Sequence, residues 1–117
     1  MPRFDIRYRD EETRELLRKN ADGLTAQIAA IMSTDDRTGR VQAGYVKLEL
    51  THAPDDINTC AVNVNVDARA LPGRIGRERE LARSLRDVFV TATVGRFTVG
   101  VWLTLSAHST YREYRPE

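Results

Sequence analysis

The sequence predicts an α/β (α+β) domain of two β-α-β units, with a four-stranded mixed sheet carrying two helices on one face. The chain opens on Phe4, Ile6 and Tyr8 alternating with Arg3, Asp5, Arg7 and Arg9, the period of two shown by a strand with one buried face. Helix-spaced apolar positions follow, and the same strand-then-helix order returns in the second half. At 117 residues the chain is long enough for one core and too short for two, so residues 1–117 are expected to form a single domain.

Each element has its own signal. A helix is expected over residues 10–32, with Asp10, Glu11 and Glu12 at its positive end and Leu16, Leu17, Leu24, Ile28 and Ile31 as its apolar stripe. Gly23 weakens its middle. Residues 33–44 are polar and turn-rich. Residues 45–51 read as a second strand with Val46, Leu48 and Leu50 inward, ended by the turn Ala53-Pro54-Asp55-Asp56-Ile57-Asn58. Residues 60–67 form a third strand in which Val62, Val64 and Val66 oppose Asn63, Asn65 and Asp67. A second helix covers residues 77–94 through Leu81, Leu85, Val88, Phe89 and Ala92, and residues 97–105 close the domain as a fourth strand. Arg14-Glu15-Leu16-Leu17-Arg18 resembles Arg79-Glu80-Leu81-Ala82-Arg83, a short internal echo between the two helices.

The helices belong on the apolar sheet face. The other face collects Arg3, Asp5, Arg7, Lys47, Glu49, Asn63, Asn65, Thr98, Trp102 and Thr104. Solvent can cover such a face, yet Trp102 among evenly mixed charges suits self-association. Arg112 is expected in an exposed tail.

Composition narrows the function. A net charge of +1 gives no electrostatic case for nucleic acid or an anionic membrane, and neither is expected as a partner. Cys60 is the only cysteine and reads as a core thiol. No apolar leader opens the chain and no run of 18 apolar residues occurs, so the cytoplasm is the expected location. His52 and His108 stand apart from any ligand-like spacing, and no metal is expected. Gly73-Arg74-Ile75-Gly76-Arg77 precedes a helix but lacks the Walker lysine and the dinucleotide-binding glycine spacing. The arginines from Arg69 to Arg86 are offset by Asp67, Glu78, Glu80 and Asp87, which suits a solvated helix face better than an RNA surface.

Pro2 carries the sharpest chemical signal. It follows Met1 and opens the first strand, so removal of Met1 would leave a free secondary amine. A terminal amine begins near pKa ~8, and desolvation beside guanidinium groups disfavours its charged form. A modest fall makes it a base at neutral pH.

Pro2 opening the first strand, together with Val64-Asn65-Val66-Asp67-Ala68-Arg69-Ala70-Leu71-Pro72-Gly73-Arg74 leading into Glu78-Arg79-Glu80, resembles the tautomerase superfamily. Within it the layout is most similar to the branch of 5-carboxymethyl-2-hydroxymuconate isomerase. The resemblance implies a tautomerase-like fold, a homotrimer, and a cofactor-independent isomerase acting on a 2-hydroxymuconate- or arylpyruvate-type 2-oxo acid. Pro2 matches the catalytic base, Arg74 the loop arginine that holds a small-molecule carboxylate substrate, and Arg40 more weakly a second arginine. Arg9 would match the short-chain branch only across a gap, and no residue matches the water-activating acids of decarboxylating or dehalogenating members. The element order also admits a non-catalytic, ferredoxin-like oligomeric module that binds a ligand or partner. Strand pairing separates the two, because only the tautomerase arrangement makes the first two strands parallel neighbours.

Overall fold

In the computed structural model, residues 2–35, 40–107 and 116 are described; Met1, His108 and Arg112 lie outside them. Strands β1 (Arg3–Tyr8), β2 (Lys47–His52), β3 (Val62–Arg69) and β4 (Val99–Ser106) form one sheet in the order β2-β1-β3-β4. β1 runs parallel to β2 and antiparallel to β3, and β3 runs parallel to β4. Each β-α-β unit therefore keeps its own two strands as neighbours, which excludes the interleaved ferredoxin-like order and gives the tautomerase-like one. Register places Arg3 opposite Lys47 and Asp67, and Asn65 opposite Trp102, so the polar positions of all four strands share one face.

The other face makes the core. Phe4, Ile6, Val62, Val64 and Val66 are fully buried beneath the helices, and Phe4 meets Phe89 with ring centroids 6.2 Å apart. Deleting a side chain of this kind typically costs 2–5 kcal/mol. Helix α3 (Glu78–Ala92) presents Leu81, Leu85, Phe89 and Ala92 to that layer, which is the helical spacing of its apolar residues.

The first helix departs from expectation. Instead of one helix over residues 10–32, the chain forms α1 (Glu11–Lys19) and α2 (Ala21–Met32), so three helices cover the sheet. The break falls at Asn20 and not at Gly23. Asn20 leaves helical geometry with φ −100° and ψ 12°, and its side-chain amide donates to the carbonyls of Leu16 at 2.9 Å and Ala92 at 3.1 Å. An asparagine that competes for backbone carbonyls ends a helix readily, and here the second carbonyl belongs to the last residue of α3. Tyr45 lies in a short 3-10 turn, Ala43–Tyr45, ahead of β2 rather than within it. Cys60 precedes β3, and α3 stops at Ala92 because Val94 and Gly95 turn to φ 52° and 68°.

Candidate active site

Pro2 is buried at the head of β1, and its carbonyl accepts the Lys47 amide at 3.5 Å as the β1–β2 ladder begins. Above it the chain passes three times. The segment entering β2 brings Arg40, Val41, Gln42 and Tyr45; the end of β3 brings Arg69; the following loop brings Leu71 and Arg74. Together with Pro2 these residues line a cavity of about 290 Å³. The three residues singled out in the sequence, Pro2, Arg40 and Arg74, thus meet in one place although 72 positions separate the first from the last.

Arg74 is 3% exposed. Its Nε and Nη2 donate to the Met32 carbonyl at 3.1 and 2.8 Å, and its Nη1 donates to the Arg69 carbonyl at 2.9 Å. Burial lowers its proton affinity below the usual guanidinium value, yet arginine retains its charge in proteins. These bonds engage three of its five N–H groups. Gly73 lets this loop approach the segment that follows α2, since a Cβ there would lie 2.7 Å from Thr34 Cβ.

Arg40 and Arg69 are different. Both are exposed, and among the described residues neither guanidinium makes a hydrogen bond or ion pair. Arg69 is not among the site residues that the sequence singles out, and β3 runs two residues past the expected end at Asp67 to include it. The signal that finds it is the alternation itself: Val62, Val64, Val66 and Ala68 point inward, so Arg69 points out at the strand's end. Among the described residues the cavity wall contains three guanidinium groups and no carboxylate. Such a wall favours an anion and disfavours a protonated amine beside it.

The larger cavity, about 410 Å³, opens on the polar sheet face and is lined by Arg7, Asp56, Asn63, Asn65 and Trp102. Its cation is already neutralised, because Arg7 grips Asp56 with two bonds of 3.0 Å. At the far end of β1, Arg9 donates to the Asp56 carbonyl at 2.8 Å and to Thr59 Oγ1 at 3.0 Å, which engages it away from Pro2. His52 is held between the Arg9 carbonyl and Glu11 Oε1, stacked on Tyr8. Among the described residues no group of three or more His, Cys, Asp or Glu could hold a metal ion, and no helix is long and apolar enough to cross a membrane.

No family model matches the sequence, and no curated protein matches it significantly. Solved structures do resemble the fold. A 5-carboxymethyl-2-hydroxymuconate delta-isomerase is 14% identical with a TM-score of 0.61, covering 98% of this chain and 89% of its own. A domain of unknown function from Sebaldella termitidis ATCC 33386 is 16% identical with a TM-score of 0.57, covering 97% and 95%. A fused 4-OT wild-type asymmetric trimer is 13% identical with a TM-score of 0.52, covering 89% and 85%. At these identities the likeness is one of fold, and that fold is the tautomerase one.

Proposed function

We propose that the protein is a tautomerase-superfamily isomerase acting on a 2-hydroxymuconate- or arylpyruvate-type 2-oxo acid, with Pro2, freed by removal of Met1, as general base. One observation carries the reading: a buried proline at a strand head opens into a cavity whose wall, among the described residues, holds three arginines and no acid. In ketonisation of an enol the Pro2 nitrogen takes the hydroxyl proton and returns it to the neighbouring carbon. The carbon–carbon double bond becomes a carbon–oxygen double bond, and nothing is gained or lost overall. The reaction balances without a cofactor.

The arginines divide the remaining work. A substrate carboxylate is held by the free forks of Arg40 and Arg69 and by Arg74, whose backbone bonds fix its position. The same cations stabilise negative charge developing on the enolate oxygen. The working protein is a homotrimer in the cytoplasm. Support for assembly comes from Trp102, 73% exposed on the polar sheet face, and from likeness in fold to a trimeric 4-OT.

The test is ketonisation of phenylenolpyruvate by Met1-free protein and by Pro2→Ala. The substitution leaves a primary amine in place, so a residual rate is expected, with a loss of roughly 10²-fold or less, the lower range for general base catalysis. Equal rates in the two proteins contradict the assignment. Carboxylate binding without turnover would instead make this fold a binding module.

A further inference from the structure

Among the described residues five large apolar or aromatic side chains are exposed, Tyr45, Ile57, Ile75, Val94 and Trp102, and of these only Tyr45 lines the Pro2 cavity. Tyr45 is 58% exposed while its neighbour Val46 is 8% exposed. The backbone explains the contrast. The Tyr45 amide donates to the Gln42 carbonyl at 2.9 Å and the Val46 amide to the Ala43 carbonyl at 3.2 Å. This single 3-10 turn, anchored by buried Val46 at the edge of the core, holds Tyr45 out at the cavity wall. Among the described residues its hydroxyl makes no hydrogen bond, so nothing in the fold requires the phenol there.

The wall is chemically divided. Arg40, Arg69 and Arg74 supply charge, whereas Val41, Leu71 and Tyr45 supply apolar surface. A ligand that satisfies both has an anionic head and a flat, unsaturated body. From this we infer that Tyr45 is the specificity-determining residue of the cavity, selecting 2-oxo acids with an aryl or conjugated side chain over saturated ones by stacking on the planar body. The assignment rests on the proposed Pro2 site but needs no turnover to be tested.

Tyr45 is exposed and its turn is held by backbone bonds, so replacing the ring spares the core. The experiment is calorimetric binding of phenylpyruvate and of pyruvate to the full chain, to Tyr45→Ala and to Tyr45→Phe. An aromatic contact of ordinary strength corresponds to roughly a 3- to 10-fold preference. Tyr45→Ala is expected to weaken phenylpyruvate by that factor and to leave pyruvate within about twofold, while Tyr45→Phe keeps the preference because the stacking face survives. In turnover the same change should raise KM for the aryl enol and leave kcat nearly unchanged, since a contact made equally in ground and transition states moves KM alone. Equal weakening of both acids, no weakening of either, or no binding of phenylpyruvate to the unaltered chain overturns the inference. Selective binding by a protein that fails to turn over the enol would leave Tyr45 assigned and overturn the catalytic reading instead.

Discussion

Arg74 donates from two of its nitrogens to the single carbonyl oxygen of Met32, at 3.1 and 2.8 Å, and so fastens the loop after β3 to the last residue of α2. A cation suits that place, because terminal helix carbonyls lack intrahelical partners and carry partial negative charge. Arg74→Ala should therefore lower stability in urea titration by about 1.5–3 kcal/mol, the range for hydrogen bonds to a charged group. Arg74→Lys should recover only part, because a point charge lacks the fork that reaches both Met32 and Arg69. A loss within ~0.5 kcal/mol, typical of surface changes, would contradict the clasp.

Arg40→Ala is the complementary case. Its exposed guanidinium makes no bond among the described residues, so stability should stay within ~0.5 kcal/mol. Its removal should raise the KM for a carboxylate substrate roughly tenfold, as loss of one charge-assisted contact does. Unchanged KM would shift the carboxylate to Arg69 and Arg74.

Two backbone positions should respond with opposite signs. Gly73→Ala forces a Cβ to within 2.7 Å of Thr34 Cβ and 2.8 Å of its Cγ2, which overpacks the loop against the segment after α2 and should cost about 1–3 kcal/mol. Val94 sits at φ 52° although it is β-branched, a conformation that costs an L-residue roughly 1–2 kcal/mol. Val94→Gly should raise Tm. Thermal unfolding of both variants checks the pair, and a Val94→Gly protein that melts lower than the parent would contradict the strain.

Acid should loosen the Arg7–Asp56 contact. The hydrogen bond from Arg7 holds the Asp56 carboxyl below its ordinary value. A carboxyl lowered in the folded state contributes stability that is fully present above the unfolded value, about 3.9, and is lost as pH falls through the folded one. Glu49, held to about 2 by hydrogen bonds with Asp5, then Lys47 and Arg3, loses its contribution only at still lower pH. Asp56→Asn should flatten the decline of Tm just below pH 4, and parallel curves for variant and parent would show that the contact adds nothing.

Trp102 provides a test of assembly. If the polar sheet face joins copies of the chain, Trp102→Glu should shift a trimeric mass by light scattering toward the monomer, while Glu15→Lys on the exposed face of α1 should not. A parent protein that is monomeric at micromolar concentration would contradict the homotrimer.

What the sequence made legible follows from how local each signal is. The alternation of Phe4, Ile6 and Tyr8 and of Val62, Val64 and Val66 records burial directly, so β1 and β3 are legible, whereas the β-α-β pattern leaves the strand order open between the tautomerase-like and ferredoxin-like arrangements until the β1–β2 pairing is seen. The break at Asn20 was not, because half of its cause is the Ala92 carbonyl 72 positions away. Tyr45 reads as the start of a strand because the alternation of Val46, Leu48 and Leu50 extends backwards to it, yet it lies in a 3-10 turn. Of the cavity, Pro2, Arg40 and Arg74 were legible through resemblance, but the engagement of Arg74 with Met32 depends on how α2 ends, which no local pattern encodes. Arg69 became visible only when β3 ran two residues further than its valines alone suggested.

The central claim is that the Pro2 nitrogen is the base. Ketonisation of phenylenolpyruvate should be followed in parallel for protein with Met1 removed, verified by intact mass, and for protein carrying an amino-terminal tag. The tag converts the amine into an amide and spares every side chain of the cavity. The tagged protein is expected to lose the enzymatic rate, by roughly 10²-fold or more, while retaining carboxylate affinity. A tagged protein as active as the untagged one would contradict it.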